Sequence, residues 1–113
     1  MTTIYGIKNC DTMKKARRWL DEHNVAYEFH DFKKEGIDEK TLATWCKKLS
    51  WETLLNRRGT TWRKLPDKIK GTINEKSAIK LMQEQPSIIK RPVLKKGSTY
   101  LVGFDEQEYR KLL

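Results

Sequence analysis

Cys10 is the residue of this chain that is best placed to do chemistry. It follows a short apolar segment, residues 3–7 (TIYGI), and directly precedes a stretch of helical periodicity. Backbone N–H groups at a helix start, together with the positive end of the helix dipole, stabilise a thiolate. Lys8, Lys14 and Lys15 add positive charge nearby. We therefore predict a reactive thiol with a lowered pKa; the alternative is an inert cysteine packed at a strand end.

The spacing around Cys10 restricts the redox chemistry that is open to it. The common dithiol motif needs a second cysteine three residues further on, and Met13 occupies that position. An internal disulfide is therefore excluded within this motif. Any redox cycle must use one thiol of the protein and take the second from outside, with a small thiol resolving the mixed disulfide.

Two arginine-containing segments are candidates for anion binding. Arg91 and Pro92 precede an apolar segment, and the guanidinium could bind a carboxylate or oxyanion if the fold brings it to Cys10. Without that placement, they are a solvated charge and an ordinary trans proline. Arg57 and Arg58 precede a glycine turn. They form either a second anion site or a favourable contact with a helix C-terminus.

The remaining cysteine and the two histidines are not assigned to chemistry. Cys46 shares an apolar helical stripe with Leu42 and Trp45, so we interpret it as structural. His23 and His30 do not stand at metal-ligand spacing from either cysteine. We accordingly predict no metal site and no disulfide framework.

The length and the net charge of the chain limit the possible functions further. The chain has 113 residues and a formal net charge of +9, from 24 Lys and Arg against 15 Asp and Glu. This length predicts one domain, since two separate cores would each be too small. Without a long apolar run or a secretory signal, we expect no membrane partner and a cytoplasmic location. The charge favours anionic partners, but no motif points to nucleic acid, so we expect none.

The elements that must position these residues alternate along the chain. Residues 3–7 predict a strand, and the spacing of Met13, Ala16, Leu20 and His23 predicts a helix, capped by Asp11 or Thr12 and ended by Asn24. The alternation in residues 26–32 (AYEFHDF) predicts a second strand, parallel to the first. The three elements would form a β-α-β unit.

The middle of the chain predicts helices, and the end predicts a hairpin. Between about residues 33 and 85 there is no strand signal, whereas residues 38–49, 51–56 and 74–85 have helical patterns, and residues 58–61 suggest a turn. Residues 92–94 and 100–103 flank a glycine turn and predict an antiparallel hairpin, after which Asp105 caps a last helix. The predicted order is β-α-β, a helical insert, then β-β-α.

Four segments, in order along the chain, resemble the arsenate reductase (ArsC) and Spx family, and most closely its YffB-like branch. The resemblance implies an α/β, thioredoxin-like fold with a mixed sheet and a helical insert, in agreement with the predicted element order. It extends over essentially the whole chain. The segments are residues 4–16 (IYGIKNCDTMKKA), 54–61 (LLNRRGTT), 85–94 (QPSIIKRPVL) and 101–104 (LVGF).

The resemblance implies roles for particular residues. Cys10 matches the nucleophilic cysteine of the family, Arg91 matches its oxyanion-binding arginine, and Pro92 matches the cis-proline that faces the cysteine. Arsenate reductases use two more arginines. This chain has Asn56 at one of those positions, immediately followed by Arg57 and Arg58, and Gly103 at the other.

From the residues and the resemblance together we predict a glutathione-dependent thiol–disulfide oxidoreductase with Cys10 as its single nucleophile. Glutathione would be a cosubstrate, with no tightly bound cofactor. Pro92 would shape the groove. The predicted glutathione-binding side chains are Arg91, Arg57, Arg58, Lys8 and Asn9. Further partners would be glutaredoxin or a disulfide-bearing protein, and we expect a monomer.

Two alternatives remain open at this point. The first is an arsenate reductase coupled to glutathione and glutaredoxin, which would use the same nucleophile. The second is an Spx-like transcriptional regulator that binds RNA polymerase. Met13 removes the two-cysteine redox sensor of that branch, although binding to the polymerase does not require the sensor.

Overall fold

The computed structural model describes all 113 residues, which form four strands, eight α-helices and one short 3₁₀ helix. The strands are β1 (Thr2–Gly6), β2 (Glu28–Asp31), β3 (Val93–Lys96) and β4 (Thr99–Val102). The helices are α1 (Asp11–Glu22), α2 (Phe32–Glu35), α3 (Glu39–Leu49), α4 (Trp51–Leu54), α5 (Thr60–Arg63), α6 (Asp67–Gly71), α7 (Glu75–Glu84), the 3₁₀ helix Pro86–Ile88, and α8 (Glu106–Leu112).

The chain divides into two compact units. A sheet unit contains Met1–Glu35 and Arg91–Leu113, and a helical unit contains Gly36–Lys90. All four strands belong to the sheet unit, whereas the helices α3 to α7 belong to the helical unit. None of the helices combines the length and the apolar character that a membrane-spanning helix needs.

The sheet unit is built on one mixed sheet with the strand order β2-β1-β3-β4. β1 is parallel to β2 and antiparallel to β3, and β3 forms an antiparallel hairpin with β4. This arrangement confirms the predicted β-α-β unit and hairpin. Ile4 at the centre of β1 lies opposite Phe29 on one side and Leu94 on the other.

The core of the sheet unit is made by α1, α8 and the middle strands. Met13, Ala16 and Leu20 are completely buried, as their helical spacing predicts. The prediction that His23 continues this stripe is wrong, because α1 ends at Glu22 and His23 is exposed. Its ring instead stacks on the buried Trp19, with 3.9 Å between ring centroids.

The second strand is shorter than predicted. Only Glu28–Asp31 form β2, and Phe32 already begins α2. The Asp31 carboxylate accepts a hydrogen bond of 2.9 Å from the backbone N–H of Lys33, which turns the chain away from the sheet. β1 ends at the same level, because Gly6 is the register partner of Asp31.

In the helical unit, the predicted helices form at α3, α4 and α7. Asp38 caps α3 by accepting from the Thr41 N–H, and Asn74 and Ser77 form a reciprocal capping box at α7. The turn predicted at residues 58–61 is wrong in its second half, because Thr60 begins the short helix α5. α6 was not predicted, since its five residues are too few for a periodic signal.

Candidate active site

Cys10 lies at the start of α1, as predicted, but it occupies the cap position itself. Its backbone is extended, with φ −131° and ψ 128°, and its carbonyl accepts the first helical hydrogen bond from the Lys14 N–H at 2.9 Å. The predicted caps, Asp11 and Thr12, are wrong because both residues are already within the helix. The free N–H groups of the first turn are thereby left to point at the sulfur.

The environment of the sulfur lowers the pKa of Cys10 from its ordinary value of 9.0. Partial burial raises this pKa, but the backbone N–H of Met13, the Arg91 side chain and the backbone N–H of Thr12 together lower it by a larger amount. These groups donate hydrogen bonds to the sulfur, and the Arg91 guanidinium adds a positive charge beside it. The thiol is half-buried, so it can still be reached from solvent.

The positive charge that lowers the pKa of Cys10 comes from Arg91 and not from the lysines that the sequence suggested. Lys8, Lys14 and Lys15 are exposed and do not contribute to the shift, whereas Arg91 does. Solvent and salt screen an exposed ammonium group strongly. A half-buried guanidinium that touches the sulfur is screened far less.

The topology of the sheet explains how Arg91 reaches Cys10. β1 and β3 are antiparallel, with Tyr5 opposite Val93, so the last residues of β1 and the first residues of β3 lie at the same end of the sheet. Cys10 follows β1 after a short loop, and Arg91 and Pro92 immediately precede β3. Pro92 is buried, and the Arg91–Pro92 peptide bond is cis, as the resemblance implied.

Arg57 and Arg58 are exposed residues of the helical unit. The Arg57 guanidinium lies 5.4 Å from the centroid of the Trp62 ring, which is the geometry of a cation–π contact. The Arg58 N–H donates to the Asn56 side-chain oxygen at 3.2 Å. Their predicted role in binding glutathione stays a prediction.

Lys8 and Asn9 form an exposed turn between β1 and Cys10. Lys8 also lines a cleft in the sheet unit, together with Arg17 and Phe29. The sequence did not predict this cleft, because Arg17 lies within α1 and Phe29 lies on β2, and local sequence patterns do not show which elements meet. The one available signal was that Arg17 directly follows Ala16, a residue of the buried stripe of α1, and is itself only half-buried.

Cys46 contrasts with Cys10 in every respect that governs reactivity. It is buried on α3, beside Leu42 and Trp45. Burial raises the pKa of the Cys46 thiol to about 11, with a smaller contribution from the Glu75 carboxylate. A thiol with this pKa is almost fully protonated at neutral pH, which agrees with its interpretation as structural.

The mixed sheet and the cysteine at the start of the first helix define a thioredoxin-like protein. The chain belongs to the ArsC family, whose model matches residues 5–112. It is similar to the solved structure of a YffB protein, with 56% sequence identity, a TM-score of 0.95, and coverage of 98% of this chain and 97% of that one. These findings confirm the family resemblance drawn from the four sequence segments.

Two further relatives have names that bear on function. The solution structure of an arsenate reductase (ArsC) related protein from Brucella melitensis has 54% identity and a TM-score of 0.80, over 97% of this chain and 92% of that one. The global transcriptional regulator Spx of Streptococcus agalactiae is 28% identical over 118 residues, which cover all of this chain and 83% of the regulator. The chain is therefore similar to proteins whose names indicate different activities.

Proposed function

We propose that this protein is a glutathione-dependent thiol–disulfide oxidoreductase in which Cys10 is the nucleophile. The observation that carries the proposal is the lowered pKa of a half-exposed thiol that receives hydrogen bonds from the start of α1 and from Arg91. A lowered pKa increases the fraction of thiolate that can attack at neutral pH, and it also makes the cysteine a better leaving group. Membership of the ArsC family supports the same class of chemistry.

The proposed reaction has two exchange steps. In the first, the Cys10 thiolate attacks the glutathione sulfur of a mixed disulfide between glutathione and a substrate thiol. The S–S bond breaks, the substrate leaves as a thiolate that takes up a proton, and Cys10 is linked to glutathione. In the second, a glutathione thiolate attacks the glutathione sulfur of that link, which releases oxidised glutathione and restores the Cys10 thiolate.

An external thiol is needed because Met13 occupies the position of a resolving cysteine. Met13 is completely buried, so its side chain belongs to the core and takes no part in exchange. Glutathione can supply the external thiol. It also has two carboxylates, which a protein with a net charge of +9 attracts. We place the protein in the reducing cytosol as a monomer, where glutaredoxin or a disulfide-bearing protein would be its partner.

Arsenate reduction is a second candidate, favoured by the contact between Arg91 and Cys10. An oxyanion bound beside the sulfur would use this guanidinium. Asn56 and Gly103, however, occupy the positions at which arsenate reductases of the family carry arginines. Each charge-assisted hydrogen bond that is lost would cost about 1.5–3 kcal/mol, so we rank this activity second. The similarity to Spx supports a role in binding RNA polymerase, which we also rank below thiol–disulfide exchange.

Reduction of a glutathionylated peptide by glutathione tests the proposal. We expect turnover by the wild type, complete loss in Cys10→Ser, and unchanged turnover in the matched variant Cys46→Ser. Full activity of Cys10→Ser would refute the proposal. Turnover that appears only with arsenate, in the presence of glutathione and glutaredoxin, would favour the second candidate. Capture of RNA polymerase that does not depend on Cys10, without any turnover, would favour the regulator.

A further inference from the structure

A cleft of about 230 Å³ in the sheet unit lies beside Lys8, and its lining includes none of the groups that lower the pKa of Cys10. Positively charged, negatively charged and aromatic side chains line it together. The volume suits a group of the size of one amino acid, since pockets for larger ligands start at about 300 Å³. Its lining residues are Lys8, Arg17, Phe29, Asp31, Lys34 and Glu35.

Arg17 is held in place at the wall of this cleft. Its Nε–H donates to the Tyr27 hydroxyl at 3.2 Å, and its guanidinium carbon lies 4.4 Å from the centroid of the Phe29 ring. These contacts use one N–H group and one face of the guanidinium. The remaining N–H groups stay available for a ligand, and little side-chain entropy remains to be lost on binding.

The positive groups of the cleft are not neutralised by the carboxylates beside them. Lys8, Arg17 and Lys34 form no ion pair within 4.0 Å, although Asp31 and Glu35 line the same cleft. The carboxylates are occupied in another way. Asp31 Oδ1 accepts from the Lys33 N–H at 2.9 Å. Glu35 Oε2 accepts from the Asp31 N–H at 3.2 Å and lies 3.8 Å from His30 Nδ1.

Because positive and negative side chains line the same cleft, it favours a ligand that carries both charges. A dianion such as arsenate or phosphate would gain from the cations but would be repelled by the two carboxylates. A neutral ligand would use neither set. A group with an ammonium and a carboxylate on one carbon complements both sets, and the γ-glutamyl end of glutathione is such a group.

The cleft is within reach of the reactive thiol. Lys8 lies two residues before Cys10, and two successive Cα–Cα steps span at most about 7.6 Å. The thiol of glutathione belongs to its central residue, so the length that counts runs from this cysteine to the far end of the γ-linked glutamyl residue, about 7 Å when extended. One molecule of glutathione therefore has the length to place its sulfur at Cys10 and its γ-glutamyl end beside Lys8 and Arg17.

We propose that this cleft binds the α-amino-carboxylate of the γ-glutamyl residue of glutathione, with Arg17 and Lys8 on the carboxylate and Glu35 on the ammonium group. The inference rests on the proposed function for the identity of the ligand. It assigns Arg17, which comes from the middle of α1, to substrate recognition. It also separates this recognition from the oxyanion contact that Arg91 offers at the sulfur.

Titration with S-methylglutathione, followed by NMR, tests the site without redox chemistry, because the methylated sulfur cannot exchange. In the wild type we expect shifts at Arg17 and Phe29. Arg17→Gln should weaken binding about tenfold, through the loss of a charge-assisted hydrogen bond. The matched variant Arg18→Gln alters an exposed neighbour outside the cleft and should bind like the wild type. Lys8→Gln provides a second test at an exposed residue of the same cleft and should also weaken binding.

The peptide S-methyl-Cys-Gly, which lacks the γ-glutamyl group, completes the test. Its binding should be equally weak in the wild type and in Arg17→Gln. Wild-type affinity of Arg17→Gln and Lys8→Gln for S-methylglutathione would overturn the inference, even if thiol transfer is observed. Binding of inorganic phosphate at the cleft as tightly as S-methylglutathione would also overturn it. Conversely, Arg17-dependent binding without thiol transfer would uphold the cleft and refute the proposed function.

Discussion

The reactivity of Cys10 depends on a few hydrogen bonds at one atom. Burial alone would raise the pKa of this thiol, and the Met13 N–H, the Arg91 side chain and the Thr12 N–H reverse that effect. Two of these groups belong to the first turn of the helix that Cys10 caps. The third group, the Arg91 side chain, comes from the segment that immediately precedes β3, about 80 residues further along the chain. The local sequence therefore accounts for only part of the lowered pKa.

Replacement of Arg91 isolates the contribution from the distant segment. In Arg91→Met the pKa of Cys10 should rise, because a hydrogen bond and a positive charge are both removed. The rate of alkylation at neutral pH should fall several-fold. Iodoacetamide labelling across a range of pH, with mass spectrometry to separate Cys10 from Cys46, measures the change.

The control for this prediction is the neighbouring exposed lysine. Lys90→Met removes the same charge from the next position of the chain and should leave the alkylation profile of Cys10 unchanged. Equal profiles for wild type and Arg91→Met would contradict the assigned role of the guanidinium.

The lowered pKa of Cys10 also predicts how stability depends on pH. The folded-state pKa lies below the ordinary value of 9.0, so the unfolded chain binds more protons in the interval between the two. The stability of the wild type relative to Cys10→Ser should therefore rise with pH through that interval, and this gain should be lost as pH falls through the folded pKa. Urea unfolding of both proteins at about pH 6 and about pH 9 measures the difference. A difference that does not change with pH would contradict the prediction.

At the level of elements, the close packing of β1 against α1 fixes the position of Cys10. Gly6 ends β1, and a Cβ at this position would collide with the buried Met13 side chain. The strand and the first turn of the helix can therefore approach each other only where a side chain is missing. This contact holds both ends of the loop that carries Cys10.

Gly6→Ala should consequently destabilise the protein by about 1–3 kcal/mol, as expected for overpacking of a filled core. Gly71→Ala is the matched control, because a Cβ there meets nothing within 4 Å and Gly71 lies at the end of α6. Its stability should be unchanged or slightly higher. Urea unfolding measures both variants, and equal stability of Gly6→Ala and the wild type would mean that Met13 can move aside.

At the level of the whole molecule, the net charge of +9 should affect the rate of encounter with anionic substrates. The proposed substrates carry glutathione carboxylates, so kcat/KM for a glutathionylated peptide should fall as salt is added. A neutral disulfide, 2-hydroxyethyl disulfide, should react at a rate that salt leaves nearly unchanged. Stopped-flow or steady-state rates at about 10 mM and about 150 mM ionic strength separate the two substrates. The same salt dependence for both would contradict electrostatic steering.

Several elements of the fold could be predicted from short stretches of sequence. The buried stripe of Met13, Ala16 and Leu20 and the cap at Asp105 follow from local periodicity and side-chain chemistry, and the structure confirms both. The short helices α5 and α6 could not be predicted in the same way, because four or five residues give no periodic pattern. The prediction of Asp11 or Thr12 as the cap of α1 is wrong, because Cys10 occupies that position through its backbone alone.

Local sequence patterns are sufficient to predict that Cys10 stands between a strand and a helix, and that no second cysteine follows it within the motif. They are sufficient because the steric and hydrogen-bonding preferences that form a strand end and a helix start are local. Two other features follow from the tertiary fold: the contact of Arg91 with the Cys10 sulfur, and the cleft that Arg17, Phe29 and Lys8 share. Such contacts depend on strand order and register, which residues far apart in the chain decide together.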